Sequence, residues 1–219
     1  MQELPGNAEE YDVTTVERLK ASPLQGKKVL FLGSSVTLGY ASEGQSLAEY
    51  VAARMGAEVV KEAVNGTTLA DTGEDSYVQR LLRNVDPNQA FDLLVCQLST
   101  NDATKGMPLG AIGDDARTVT GAMEFIADYA RRTWGCPIVF YTGSRFQNGA
   151  YASMVARAKE LASQGKIGLI NLWDDDEFND VALEPRKLYM ADPIHPTRAG
   201  YRNWWGPEFE RQLIAWFAP

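Results

Sequence analysis

The chain has 219 residues, 45% of them hydrophobic, enough to bury a full core in one ordinary globular domain. A net charge of −8 and a pI of about 4.8 repel nucleic acid phosphates and anionic membranes, so neither is an expected partner. No apolar run approaches the ~18 residues that cross a bilayer; the start, "MQELPGNAEEYDV", has no basic or apolar leader, so a cytoplasmic location is expected.

Residues 1–26 read as a poorly defined N-terminal arm on or near the domain, with "TTVERLKAS" as a short helix. Residues 27–219 read as a single domain. The runs 27–33 (KKVLFLG), 57–64 (AEVVKEAV), 91–98 (FDLLVCQL), 137–143 (PIVFYTG) and 167–173 (IGLINLW) are rich in Val, Ile, Leu and Phe, as parallel strands covered on both faces should be.

Helical segments lie between them. Residues 46–56 open with Ser46 and carry Glu49 three positions on, a capping box, and stop at Gly56. In 114–135, Val119, Met123, Ile126 and Ala130 recur at spacings of three and four. A third helix is expected over 150–165, and a long tryptophan-rich one over 197–218, bent at Gly206-Pro207. The β–α alternation predicts a three-layer α/β/α sandwich, flavodoxin-like, around a parallel sheet of about five strands.

In such a sheet, ligands bind beyond the carboxyl ends of the strands. Ser34 and Ser35 follow the first strand, Asn65 and Gly66 the second, and Ser99, Thr100, Asn101 and Asp102 the third. Arg145 follows the fourth, and Asp192 and His195 come some twenty residues after the fifth.

The first of these turns, "GSSVTLGY", matches neither common phosphate loop. Gly33 and Gly39 are one residue too far apart for a Walker motif, with Tyr40 in place of its Lys, and Ser35 breaks a dinucleotide fingerprint. A Ser/Thr-rich flavin-phosphate loop stays open on this segment alone.

A nucleophilic serine needs a base, and the chain has one histidine, His195. It stands between Pro193 and Pro196 in "ADPIHPTRAGY", on a segment stiffened by both. Asp192, three residues before it, can accept the imidazole Nδ1–H and leave Nε2 to take a serine proton. An oxyanion hole needs converging N–H donors. The Ser35 N–H, the Gly66 N–H (unshielded by a Cβ) and the Asn101 side chain are the candidates.

These residues resemble the motif blocks of the SGNH (GDSL-type) hydrolases, a family of esterases and lipases with a flavodoxin-like fold. Gly33-Ser34-Ser35-Val36-Thr37-Leu38-Gly39 resembles the first block, Gly66 the second and Asn101 the third. Asp192, His195, Pro196, Gly200 and Tyr201 resemble the last, so the blocks run in order across 33–201. The resemblance implies Ser35 as nucleophile, His195 as base, Asp192 as its orienting acid, and Ser35, Gly66 and Asn101 as the oxyanion hole. Two positions depart from it: Ser34 stands where the family often has Asp, and Ser99 where it often has Gly.

The expected function is an esterase cleaving short-chain carboxylic esters of small polar alcohols, such as an acetylated carbohydrate, with Ser34, Asp102 and Arg145 as substrate-binding candidates. No cofactor or metal is expected, since two cysteines and one histidine are too few for a structural zinc site. Cys96 and Cys136, in or beside apolar runs, are expected as buried thiols. Trp173-Asp174-Asp175-Asp176-Glu177 reads as a solvated acidic loop. Two alternatives remain: an acyltransferase using the same triad, and a non-catalytic flavodoxin-like binding module. The second accounts for Ser34, Ser35 and Thr37 but not for Asp192, His195 or Asn101.

Overall fold

In the computed structural model, which describes residues 4–218, the five apolar runs form one parallel sheet. Its strands are β1 (Lys28–Gly33), β2 (Glu58–Ala63), β3 (Leu93–Gln97), β4 (Ile138–Tyr141) and β5 (Gly168–Ile170). They lie in the order β2-β1-β3-β4-β5, the flavodoxin-like arrangement, whose topological switch point falls between β1 and β3.

Alternation within each strand divides the core. Leu30, Leu32, Leu94, Cys96 and Phe140 face one layer of helices, while Val29, Phe31, Leu93, Val95 and Val139 face the other. The first layer holds α3 (Tyr77–Asn84), α5 (Val119–Trp134) and α6 (Gly149–Ser163); the second holds α2 (Leu47–Met55) and α10 (Gly206–Phe217). Short helices α1 (Ser35–Leu38) and α4 (Thr100–Thr104) begin just past β1 and β3; α7 (Asp176–Asn179), α8 (Leu183–Tyr189) and α9 (Arg198–Gly200) occupy the long passage after β5. Both cysteines are buried free thiols.

The expected capping box is formed: Ser46 Oγ accepts from the Ala48 N–H, and Glu49 accepts from the Ser46 N–H at 2.8 Å. Three expectations need correction. "TTVERLKAS" is not a helix; the arm instead makes single 3₁₀ turns at Pro5–Asn7, Glu9–Tyr11 and Val13–Thr15, because it is held by contacts to the domain rather than by its own ladder. Residues 1–3 of the expected arm lie outside the described residues.

The expected helix 197–218 is also divided. A π turn, Tyr201–Trp205, separates α9 from α10, and the Gly206 N–H reaches back to the Tyr201 carbonyl. Pro207 has no N–H to continue the ladder, and any Cβ on Gly206 would overlap the Tyr50 ring and the Tyr201 carbonyl, so the widened turn seats Trp204 and Trp205 in the core. Lastly, the acidic run after Trp173 is solvated at Asp174, Asp176 and Glu177 as expected, but it enters a short helix and is not a plain loop. Asp175 caps α7 and Asp174 pairs with Lys159.

The end of β1 is packed with no slack. A Cβ on Gly33 would overlap the Thr37 side chain and crowd Gln97 Oε1 at 2.9 Å. Gly33→Ala is therefore expected to destabilise the fold by about 1–3 kcal/mol. Urea unfolding should show a lower midpoint with an unchanged slope.

Candidate active site

At the switch point the chain leaves β1 and turns at once into α1, with Ser34 in the cap position and Ser35 first in the helix. The Ser35 N–H is one of the helix-start donors without an intrahelical partner. A buried polar network fixes this turn. Gln97 Oε1, at the end of β3, accepts from the Ser34 N–H (3.0 Å), the Thr37 N–H (3.1 Å) and Thr37 Oγ1 (2.8 Å). Thr37 Oγ1 lies 2.6 Å from Tyr141 Oη, and Tyr201 Oη donates to the Val36 carbonyl at 2.6 Å. Arg80, 2% exposed, donates to the Gly33 carbonyl at 2.7 Å and pairs with Glu62 at 2.8 Å.

The segment after α8 brings the imidazole to this turn. Met190 and Pro196 form an isolated antiparallel bridge, and the Ala191 N–H donates to the His195 carbonyl at 2.9 Å, which folds 191–195 into a tight loop. Asp192 lies inside the loop. Its Oδ1 accepts from the backbone N–H of Ile194 (2.7 Å) and His195 (2.8 Å), and its Oδ2 lies 2.7 Å from His195 Nδ1. His195 Nε2 is 2.8 Å from Ser35 Oγ.

Partial burial pushes the Asp192 carboxyl upward, but the hydrogen bonds from the His195 ring and the two backbone N–H groups outweigh it. The net effect holds Asp192 below the usual carboxylate range, so it is charged at neutral pH. A charged Asp192 fixes Nδ1 as the protonated nitrogen and leaves the Nε2 lone pair toward the serine. The His195 side chain is only 18% exposed, whereas Asp192 is 46% exposed.

Two of the expected oxyanion donors, Gly66 and Asn101, lie beside Thr67. Gly66 has φ +76°, a left-handed turn that suits glycine, and open space where a Cβ would stand. Asn101 Nδ2 donates one proton to the Thr67 carbonyl at 3.0 Å, which leaves its second N–H for a ligand. Ser99 caps α4 by accepting the Asn101 N–H, so the hydroxyl at this position holds Asn101 in place.

The other candidates are placed differently. Ser34 is fully buried, its hydroxyl accepting from Gln97 Nε2 at 3.2 Å, and it belongs to the core beneath the site rather than to a substrate surface. Asp102 is also fully buried. Its two oxygens accept the Leu69 N–H (2.7 Å) and the Ala70 N–H (2.9 Å), so it anchors the loop that carries Gly66 instead of facing a ligand. Arg145 is engaged by Asp176 at 2.7 Å and by the Trp173 carbonyl at 3.0 Å, and no hydrogen bond joins it to the triad residues.

The structure places a further ring beside the imidazole. Tyr40, 61% exposed, sets its ring 5.4 Å from the His195 ring. A narrow cavity with room for about one water-sized group lies among Val36, Leu98, Thr100, Phe146, Ile194 and Trp205. Three of these directly follow or precede Ser35, Asn101 and His195. Ser144 Oγ and Trp205 Nε1, which also border it, have no hydrogen-bond partner among the described residues. No cluster of acidic, histidine or cysteine side chains among the described residues converges as a metal site, and no helix there is long and apolar enough to cross a membrane.

The sequence matches the GDSL-like lipase/acylhydrolase family over residues 31–202. Solved structures of the same fold include a protein from Lactobacillus plantarum (TM-score 0.70, 19% identity, 88% of this chain and 96% of that one). A protein of the G-D-S-L family from Desulfitobacterium hafniense DCB-2 superposes with a TM-score of 0.66 at 18% identity, covering 85% of this chain and 99% of its own. A family two carbohydrate esterase from Clostridium thermocellum, solved in complex with cellohexaose, gives 0.61 at 18% identity over 90% of this chain and 65% of its own. At such identities the likeness is one of fold. No curated protein matches the sequence.

Burial, the largest influence on Asp102, raises its carboxyl above the ordinary value, and the N–H groups of Ala70 and Leu69 and the Ser99 hydroxyl only partly offset this. Asp102→Ala leaves two buried N–H groups unpaired and is expected to cost about 2–5 kcal/mol; Asp102→Asn, which keeps one acceptor, should cost less. A raised folded value favours the fold below the unfolded pKa of about 3.9, and that contribution is lost as pH rises through the folded value. Both variants should lack this slope when unfolding free energy is measured by urea titration across pH.

Proposed function

The chain belongs to the GDSL-like lipase/acylhydrolase family, and from that premise we propose that it hydrolyses short-chain carboxylic esters through an acyl-enzyme on Ser35. Membership makes it an esterase or acylhydrolase; the residue roles and the substrate are our reading. One observation carries it: Ser35 Oγ, His195 Nε2, His195 Nδ1 and Asp192 Oδ2 form a continuous chain of 2.8 and 2.7 Å contacts. Those are the distances proton transfer requires.

Ser35 Oγ attacks the ester carbonyl as its proton passes to His195 Nε2. Asp192 stabilises the imidazolium so formed. The carbonyl oxygen, now an oxyanion, is held by the N–H groups of Ser35, Gly66 and the Asn101 side chain, each typically worth ~2.7–4 kcal/mol of barrier. Collapse of the tetrahedral intermediate breaks the bond to the alcohol, which leaves with the proton from Nε2. Water then attacks the acyl-enzyme with His195 again as base, releasing the acid and restoring Ser35.

The narrow cavity beside Val36 and Ile194 supports a short acyl group. The exposed Tyr40 ring and the polar Asn65 and Asn101 nearby on the sequence blocks support a polar alcohol such as a sugar. The half-exposed Asp192 puts the site in contact with water, which favours hydrolysis over transfer to a second alcohol.

Ser35→Ala is expected to lower turnover of p-nitrophenyl acetate by at least about 10³-fold while leaving the melting temperature close to wild type. Near-normal turnover in that variant would remove the acyl-enzyme reading. In the wild type, a serine-reactive phosphonate should label the peptide carrying Ser35, and p-nitrophenyl acetate should exceed the octanoate in kcat/KM by tenfold or more, a chain-length series being the check.

A further inference from the structure

The N-terminal arm lies outside the span 31–202 that matches the family, yet it touches both halves of the site. Asn7 does so with a single side chain. Its Nδ2 donates to the Ala41 carbonyl at 2.9 Å, and its Oδ1 accepts the Arg198 backbone N–H at 3.0 Å. Ala41 lies six residues after Ser35 and Arg198 three after His195. The Asn7 carbonyl also accepts from the Arg198 guanidinium at 3.2 Å.

The same guanidinium reaches Glu43 at 2.5 Å and Asp12 at 3.8 Å. Gln45 completes the ring of contacts, donating to Asp12 at 2.6 Å and accepting the Val13 N–H at 3.0 Å. Glu43 has φ +55°, the only positive φ of a non-glycine residue among the described residues, so these partners keep loop 39–45 in a disfavoured conformation. Gly6 is pressed against the Leu188 carbonyl and Thr197, leaving no room for a Cβ.

We infer that residues 4–13 act as a clasp across the active site, with Asn7 and Arg198 as positioning residues for the Ser35–His195 hydrogen bond. This rests on the proposed roles of Ser35 and His195. The two groups lie on loops far apart in sequence, and a displacement of about 1 Å between them can cost about 10²-fold in rate. The clasp joins those loops in addition to the buried bond from Tyr201 to the Val36 carbonyl.

The test is Asn7→Ala in the full chain. It is expected to lower kcat on p-nitrophenyl acetate by about tenfold or more, with KM changed by less than about threefold. His195 is the only histidine, so its imidazole resonances need no assignment. The ¹⁵Nε2 resonance of Asn7→Ala should move from its wild-type position toward that of Ser35→Ala. Asn7→Asp keeps the acceptor for the Arg198 N–H and loses the donor to Ala41, so it should fall between, and it carries the test if Asn7→Ala melts below the assay temperature. Turnover within twofold of wild type overturns the clasp, as does lost turnover with an unmoved imidazole. Normal turnover in Ser35→Ala would instead overturn the acyl-enzyme reading, and the two failures are therefore separable.

Discussion

The contact between Ser35 Oγ and His195 Nε2, 2.8 Å long across 160 residues of sequence, is the tertiary distance on which the rest of the site depends. The acid and base need no such meeting. Asp192 and His195 are three residues apart, and the Asp192 carboxylate already closes their loop through two backbone N–H groups before it meets the ring. One loop therefore arrives with the Asp192–His195 pair already formed. The fold has only to dock it against the helix start that presents Ser35.

Both sides of that docking are fixed by buried polar groups. Gln97 ties β3 to the turn after β1 through one carbonyl oxygen and three donors, and Tyr201 ties the segment after His195 to the carbonyl next to Ser35. Arg80 would be costly to bury unpaired, but Glu62 and the Gly33 carbonyl receive its donors. Satisfied networks of this kind rigidify what they join. The hydroxyl of Ser34, at the position where the family often carries Asp, is a member of this network: it is buried next to Ser35 and accepts from Gln97.

Much of this was legible in the sequence, for identifiable reasons. Covered parallel strands demand unbroken apolar runs, so β1 and β3–β5 stand out, and the α2 capping box is a local code read without tertiary information. Ser35, Asp192 and His195 stand out because the chemistry needs those side chains and the chain has a single histidine. What was not legible is set by partners far along the chain. Asp102 looks like a site carboxylate beside Asn101, and only the fold shows Leu69 and Ala70 pointing their N–H groups at it. Gln97 lies in the third apolar run and Arg80 in a stretch for which no helix was expected, yet both are buried supports of the turn that carries Ser35. The arm gave no periodic signal because its short 3₁₀ turns are held by side chains of the domain.

The arm also bears on how the rim around Asp192 and Tyr40 is held. A half-exposed Asp192 and an exposed Tyr40 leave the approach to His195 wet, which suits a hydrolase but forfeits the rigidity that burial would give. Loops on a wet rim are the least stable parts of a domain. Clasping them through Asn7, which bonds to Ala41 on one loop and to Arg198 on the other, fixes their mutual position. The polar core around Gln97 and the polar clasp through Asn7 thus act on the same hydrogen bond, one through buried groups and the other through partly exposed ones.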